Sequence, residues 1–172
     1  MLHPVEVQRV LETLTVIVDT REHPTASYKK RLAAMGVPTQ RRKLDFGDYS
    51  AFVTLPDGTE YSLEKRVSIE RKMGLDEICN CYCQSRNRFT KEFERAKNAG
   101  AKIYLLIENS TWEMVLDGDY RSKMNPSALT ASLFAWLARY NCQIIFCKPH
   151  STGTLVKEIL YREMKERLET YE

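Results

Sequence analysis

The sequence has no run of about 18 or more apolar residues, so no membrane-spanning helix is expected. The N-terminus, "MLHPVEVQRV", carries an acid and a base early and lacks an apolar signal core, which argues against secretion. Internal repeats, low-complexity tracts and linkers are absent, and 172 residues suit one domain with a sizeable core. Cysteine is sparse and odd in number: three of the five crowd into "CNCYC". That suits a reducing, cytoplasmic compartment better than a disulfide framework. On a helix Cys79 and Cys83 share a face while Cys81 points away, and no second pair has zinc-like spacing. Buried or incidental thiols are therefore expected rather than structural zinc. Excess charge is also small, at +3, which permits nucleic-acid binding without arguing for it.

What is present is an alternation of apolar runs and helical spacings. Pro4 to Thr13 reads as a short amphipathic helix. "LTVIVD", Leu14 to Asp19, reads as a buried strand ending in an acid. "TASYKKRLAAMG" has helical spacing and a glycine stop at Gly36. The segment 37–72 reads as two or three antiparallel strands, with Asp57-Gly58 as a hairpin signal. Asp76 to Asn98 reads as one long basic helix. Then come a strand over Lys102–Glu108, a helix over Pro126–Arg139 and a strand over Cys142–Cys147. A closing helix runs from Thr152 to about Leu168, with Leu155, Ile159 and Leu160 inward. This order predicts a single α/β domain with a mixed central sheet flanked by helices.

The chemistry sits in "VSIERKMGLDE". Residues two apart on a strand share a face, so Glu70 and Lys72 point one way and Arg71 the other. Asp48, in "DFGDY", lies at the mouth of the hairpin leading into that strand, and Gly47 beside it permits a bend. Asp19 ends the first buried strand, and Glu22 follows in "DTRE". If these strand ends meet, several carboxylates gather around a lysine, an arrangement that is costly unless a cation fills it. Oxygen donors without a nearby Cys or His pattern favour Mg²⁺ or Mn²⁺ over zinc. Such an ion lowers the pKa of a water and neutralises charge on a phosphate during phosphodiester cleavage. The competing reading is a solvated edge strand of alternating charge, because acid-x-lysine alone is short and common. The next segment holds Arg86, Arg88, Lys91, Arg95 and Lys97, which reads either as a phosphate-contacting surface or as a solvated helix face. "QRRK", at 40–43, reads first as an exposed strand, and His23 first as a structural residue.

Taken together, "VDTRE" (Val18 to Glu22), "GDY" (Gly47 to Tyr49) and "IERKMGLD" (Ile69 to Asp76) resemble the three signatures of the XPF-type structure-specific endonucleases. That family carries a PD-(D/E)xK-like nuclease domain with a GDY…ERKxxxD motif, and both parts stand here in order. "NRFTKEFERAKNAGAKIYLLIE" and the segments from Asn125 to Met164 extend the likeness, so that it spans roughly Thr15 to Met164. The resemblance implies a restriction-endonuclease-like fold over residues 14–172, preceded by a helical extension over residues 1–13. It implies a Mg²⁺- or Mn²⁺-dependent DNA endonuclease of repair or recombination, acting at branched, flap or fork structures.

Residue by residue, it implies Asp48 and Glu70 as the principal metal ligands, with Asp19 completing the acidic cluster as a ligand or through a metal-bound water. It implies Lys72 as the catalytic lysine, and Arg71 either beside the scissile phosphate or bracing the site. Arg21, Glu22 and Asp76 would support the site, Asp76 by pairing with a base at the helix start. Arg86, Arg88 and Lys91 would contact DNA. Pairing of two copies through the apolar faces of the last two helices is implied as well. The alternative is a non-catalytic DNA-binding or partner subunit on the same fold, although the retained acids speak against it. An RNA-directed nuclease is a third reading, but nothing in the chain reads a 2′-hydroxyl. Two features depart from the family. Glu92 stands where it usually has glutamine, and the chain ends at Glu172 without tandem helix–hairpin–helix elements. The expectation is a minimal nuclease of bacterial or viral type, free in the cytoplasm or associated with the nucleoid.

Overall fold

The runs rich in valine, isoleucine and leucine become strands of one seven-stranded mixed sheet in a computed structural model that describes residues 3–170. The first two and last two residues of the expected extension and domain lie outside that range. The strands are β1 (Thr15–Val18), β2 (Thr39–Arg41), β3 (Tyr49–Thr54), β4 (Glu60–Ser62), β5 (Val67–Lys72), β6 (Lys102–Glu108) and β7 (Cys142–Cys147). Their order is β2-β1-β3-β5-β6-β7, with β4 paired to β3. β5, β6 and β7 run parallel, while β3 is antiparallel to β1, β4 and β5.

Period-two burial divides the core between the two sheet faces. On one face Val16, Val18, Val67 and Ile69 pack with α1 (Pro4–Leu11), α2 (Ala26–Met35) and α7 (Thr152–Glu169). On the other, Ile103, Leu105 and Ile107 pack with α3 (Leu75–Cys83), α4 (Arg86–Asn98), α5 (Trp112–Asp117) and α6 (Pro126–Arg139). The second face is organised by aromatic rings. Trp136 is stacked on Phe89 at 5.3 Å and meets Tyr82 edge-on at 5.1 Å.

Four details differ from the sequence reading. The long basic helix is broken at Gln84 and Ser85 into α3 and α4, with Ser85 at φ −108° and ψ 22°. In a straight helix residues seven apart lie about 10 Å apart along the axis. The break brings the rings of Tyr82 and Phe89 to 5.8 Å, so both reach Trp136. Second, segment 37–72 holds four strands, and the first is parallel to β1 because α2 carries the chain back across the sheet. Third, α5 is too short to show periodicity; its signals were the Thr111 cap, accepting from the Met114 N–H, and the left-handed Gly118. Finally, α7 buries Val156, Leu160, Met164 and Leu168 most deeply, while the expected Leu155 and Ile159 are only partly buried against the same core.

The turn between β2 and β3 places the charged residues of the site. Gly47 has φ 75°, and a Cβ there would lie 1.7 Å from Ser68 Oγ. Gly58, in the β3–β4 hairpin, also has a positive φ of 84° but open space around it. Gly58→Ala is expected to cost about 1–2 kcal/mol through backbone strain alone. Gly47→Ala should cost that plus about 1–3 kcal/mol of overpacking. Urea unfolding of the two variants measures the difference, and equal losses would contradict the close approach at Gly47.

Candidate active site

Antiparallel register brings the two signature segments together. Tyr49 pairs with Ile69, and the Asp48 N–H donates to the Ile69 carbonyl at 2.8 Å. The Arg71 N–H in turn donates to Asp48 Oδ2 at 2.8 Å, so a main-chain bond from β5 orients the Asp48 carboxyl. Alternation along β5 directs Glu70 and Lys72 toward α3 and α4, and Arg71 toward the α2 and α7 side. Lys72 Nζ lies 2.7 Å from Glu70 Oε1 and 5.4 Å from the Phe89 ring centre.

The carboxyls of Asp48 and Glu70 face a hollow of about 290 Å³ that Lys72, Arg71 and Arg88 also line. Burial and the neighbouring Glu70 and Glu22 hold the Asp48 carboxyl well above the usual carboxylate range. Burial pushes Glu70 up to about 7, against the pull of Lys72. Lys72 is raised instead: burial opposes its charge, but the adjacent Glu70 outweighs that. Glu70 Oε2 is buried without a hydrogen-bond partner. A buried, partnerless carboxylate oxygen calls for an explanation, and a cation is a good one.

The donor set fits a hard divalent ion in the manner of Mg²⁺. Such an ion is commonly held by one or two carboxylates, keeping waters and substrate phosphate for the rest of its shell. Asp48 and Glu70 are the residues that would hold it. Among the described residues, no group of three or more His, Cys, Asp or Glu side chains is arranged to hold a metal.

Asp19 therefore departs from its expected place. Its carboxylate is fully buried: Oδ1 accepts from the Arg21 N–H and Nε at 2.9 and 2.6 Å, and Oδ2 from the Leu44 N–H at 2.7 Å. It does not line the hollow. Burial alone would raise its pKa, but these bonds hold it below the usual range. Asp19 is thus a brace: it fixes Arg21, whose guanidinium also contacts Glu92 at 3.4 Å.

The supporting residues behave in different ways. Glu22 lines the hollow, and its Oε2 accepts from Tyr49 Oη at 3.1 Å and Arg31 at 3.2 Å. Asp76 stands outside it and ties the loop after α5 to the start of α3. Its carboxylate accepts from the Arg121 and Ser122 N–H groups and from Arg121 Nε. Arg71 pairs with the buried Glu108 at 3.0 Å, and its own Nε is buried and unpartnered. Arg86, Arg88 and Lys91 are exposed on α4 and have no hydrogen bond or ion pair among the described residues; of the three, Arg88 lines the hollow.

Three contributors were not singled out from the sequence. Glu108 ends β6 beside Arg71, and an acid closing an apolar strand was its only signal. Glu77 accepts from the Met73 N–H at 2.7 Å and lies 3.6 Å from Lys72 Nζ. Glu92, noted only as a departure from glutamine, is buried and accepts from the Gly47 N–H at 3.0 Å, so it supports the turn that carries Asp48. In the basic stretch 40–43, Arg42 is occupied by Glu60 and Glu64, and Arg41 bonds the carbonyls of Thr20 and Glu22. The five cysteines are free.

The profile of the ERCC4 domain family matches residues 18–158, and the chain belongs to that family. Among solved structures it is similar to XPF from Aeropyrum pernix, at 19% identity and a TM-score of 0.60 over 92% of this chain and 62% of that one. It is likewise similar to XPF from Aeropyrum pernix in complex with DNA, at 20% identity and a TM-score of 0.62 over 90% of this chain and 66% of that one. The chain thus spans a little under two thirds of the length of these structures, and the likeness establishes the fold. No curated protein matches it.

The two acids should behave oppositely when metal is removed. A carboxyl raised above its unfolded value weakens the fold as pH climbs through the window between the two values. In EDTA at neutral pH, Asp48→Asn should therefore leave stability unchanged or improved. Asp19→Asn breaks bonds from N–H donors to a buried carboxylate and should cost about 1.5–3 kcal/mol. Urea unfolding tests both, and a stabilising Asp19→Asn would contradict the brace.

Proposed function

We propose that this chain is a Mg²⁺- or Mn²⁺-dependent endonuclease that hydrolyses DNA phosphodiester bonds at branched, flap or fork structures. The observation that carries the reading is Glu70: one carboxylate oxygen buried without a partner, the other 2.7 Å from Lys72, in a hollow shared with Asp48. Membership of the ERCC4 domain family supports it, and so does the DNA complex of a structural relative. Asp48 and Glu70 would hold a divalent ion, which would supply Lewis-acid neutralisation of phosphate charge and make water more acidic.

The chain's own groups do the rest. Lys72, 2.7 Å from Glu70, offsets phosphate charge. Arg71, which lines the hollow and whose buried Nε is unpartnered, would lie beside the phosphate. Arg86, Arg88 and Lys91 position the backbone through phosphate contacts that carry no sequence information. Asp19, Arg21 and Glu92 hold the Gly47–Asp48 turn in place.

Two copies pair in this proposal. Trp112 and Phe134 stack at 5.2 Å, and Phe134 and Leu116 are 53% and 60% exposed beside the edge strand β7. The corresponding face of α7 is consumed by the chain's own core, so α5, α6 and β7 carry the contact. Phe134→Glu should convert dimer to monomer in sedimentation equilibrium; an unchanged mass would remove this face from the assembly. Among the described residues no helix is long and apolar enough to cross a membrane. Free cysteines and a DNA substrate fit a reducing cytoplasmic setting, in repair or recombination.

The test is cleavage of labelled fork, flap, Holliday-junction and linear duplex DNA with Mg²⁺, Mn²⁺ or EDTA. Wild type should cut near a branch only with metal, and Asp48→Asn should not cut. Lys72→Met should slow cleavage by about 10²–10³-fold, the usual cost of losing one preorganised group that stabilises developing charge. DNA binding without cleavage of any substrate would favour the non-catalytic subunit, and equal cleavage of matched RNA would remove the DNA restriction.

A further inference from the structure

A second hollow lies at the same end of β5, against the opposite face of the sheet. It measures about 570 Å³, and α2, the end of β6 and the turn before α7 wall it. That volume is within the range of about 300–1,000 Å³ usual for small-ligand sites. Arg71 and Met73 line both this hollow and the one holding Asp48 and Glu70, so the two share a wall.

The wall is a fixed ridge. Met73 is 62% exposed, yet its main chain is pinned on both sides. Its N–H donates to Glu77 at 2.7 Å, and its carbonyl accepts from Asn109 Nδ2 at 3.4 Å. Asn109 has φ 51°, the one positive value outside glycine among the described residues. Left-handed backbone of this kind is sparsely populated and gathers at functional sites.

The lining of the second hollow has two characters. Ala34, Pro149 and Met73 are apolar, and Lys30 and His150 are polar with no hydrogen bond or ion pair among the described residues. The acid present, Glu108, is already engaged by Arg71 and by Thr152 Oγ1 at 2.6 Å. An apolar wall for a ring beside an unpaired cation for a phosphate is the chemistry of a nucleotide.

We propose that this second cavity takes one unpaired nucleotide flanking the scissile phosphate, carried over the Met73 ridge with its base against Pro149 and Met73 and its phosphate near Lys30. The inference rests on the nuclease reading and narrows it. A base held in a continuous duplex cannot cross to the other face of the sheet without leaving its stack, which costs least where it is already unpaired. The preferred substrate is then a strand that is single at the cut, as at a flap or fork, rather than uninterrupted duplex.

The experiment uses the full chain with Ca²⁺ in place of Mg²⁺ and fork DNA carrying 2-aminopurine at each position near the cut in turn. Fluorescence should rise on binding at one position beside the scissile phosphate. Ala34→Trp, which fills the cavity, should abolish that rise and weaken binding of the fork about 10-fold, as expected for losing the burial of one base's apolar face. Lys30→Glu, on the exposed face of α2, should weaken binding in the same direction without touching the core. With Mg²⁺, an abasic site at the responsive position should raise KM and spare kcat. Cleavage that proceeds while no position responds, or a response unchanged in both variants, overturns this proposal and leaves the nuclease reading standing. If wild type neither binds nor cuts DNA, both readings fall together.

Discussion

The site depends on one close approach, that of Gly47 to Ser68. A side chain of any size at Gly47 would collide with Ser68 Oγ, and the Asp48–Ile69 main-chain bond follows directly from the contact. That bond sets the register Tyr49↔Ile69, and the register places Asp48 beside β5, where alternation presents Glu70 and Lys72. The surrounding charges serve the same turn: Glu92 accepts from the Gly47 N–H, and Arg21 spans Asp19 and Glu92. A second-row acid in place of an amide at position 92 makes sense here, because a charged acceptor holds both a main-chain N–H and an arginine.

The energetic character of the site is that of a fold holding charge against its preference. Asp48 is raised by burial and by the nearby Glu70 and Glu22, and Glu70 keeps an oxygen with no partner. Such an arrangement weakens the fold in isolation, and a cation held there would relieve it and tie stability to metal binding. Arg71 stands similarly on the other face, pinned by Glu108 while its Nε lacks a partner. Two of the three orphaned groups among the described residues, Glu70 Oε2 and Arg71 Nε, and the left-handed Asn109 collect at the carboxyl ends of β5 and β6, where parallel strands in α/β sheets place their ligands.

Much of this was legible in the sequence. Period two over Val67–Lys72 separated Glu70 and Lys72 from Arg71, and Pro126 to Arg139 declared its helix by spacing. What was hidden was tertiary. The sequence could not show that Asp19 turns toward Leu44 rather than toward Glu70, because nothing in "DTRE" encodes where a loop 25 residues later passes. Nor could it show the break at Gln84, since the helical spacing of charges runs on unbroken while the aromatic cluster of the other sheet face draws Tyr82 and Phe89 together. Glu108 was invisible for the same reason: its partner Arg71 lies 37 residues away in sequence, on the neighbouring strand.

The central claim is that Asp48 and Glu70, without Asp19, form the metal site. Isothermal titration of Mn²⁺ into the protein, with Glu70→Gln and Asp19→Asn alongside, tests it most directly. The account predicts a binding event in the wild type that Glu70→Gln removes and Asp19→Asn retains once the folded fraction is accounted for. Binding that survives Glu70→Gln, or that disappears from folded Asp19→Asn, would contradict it.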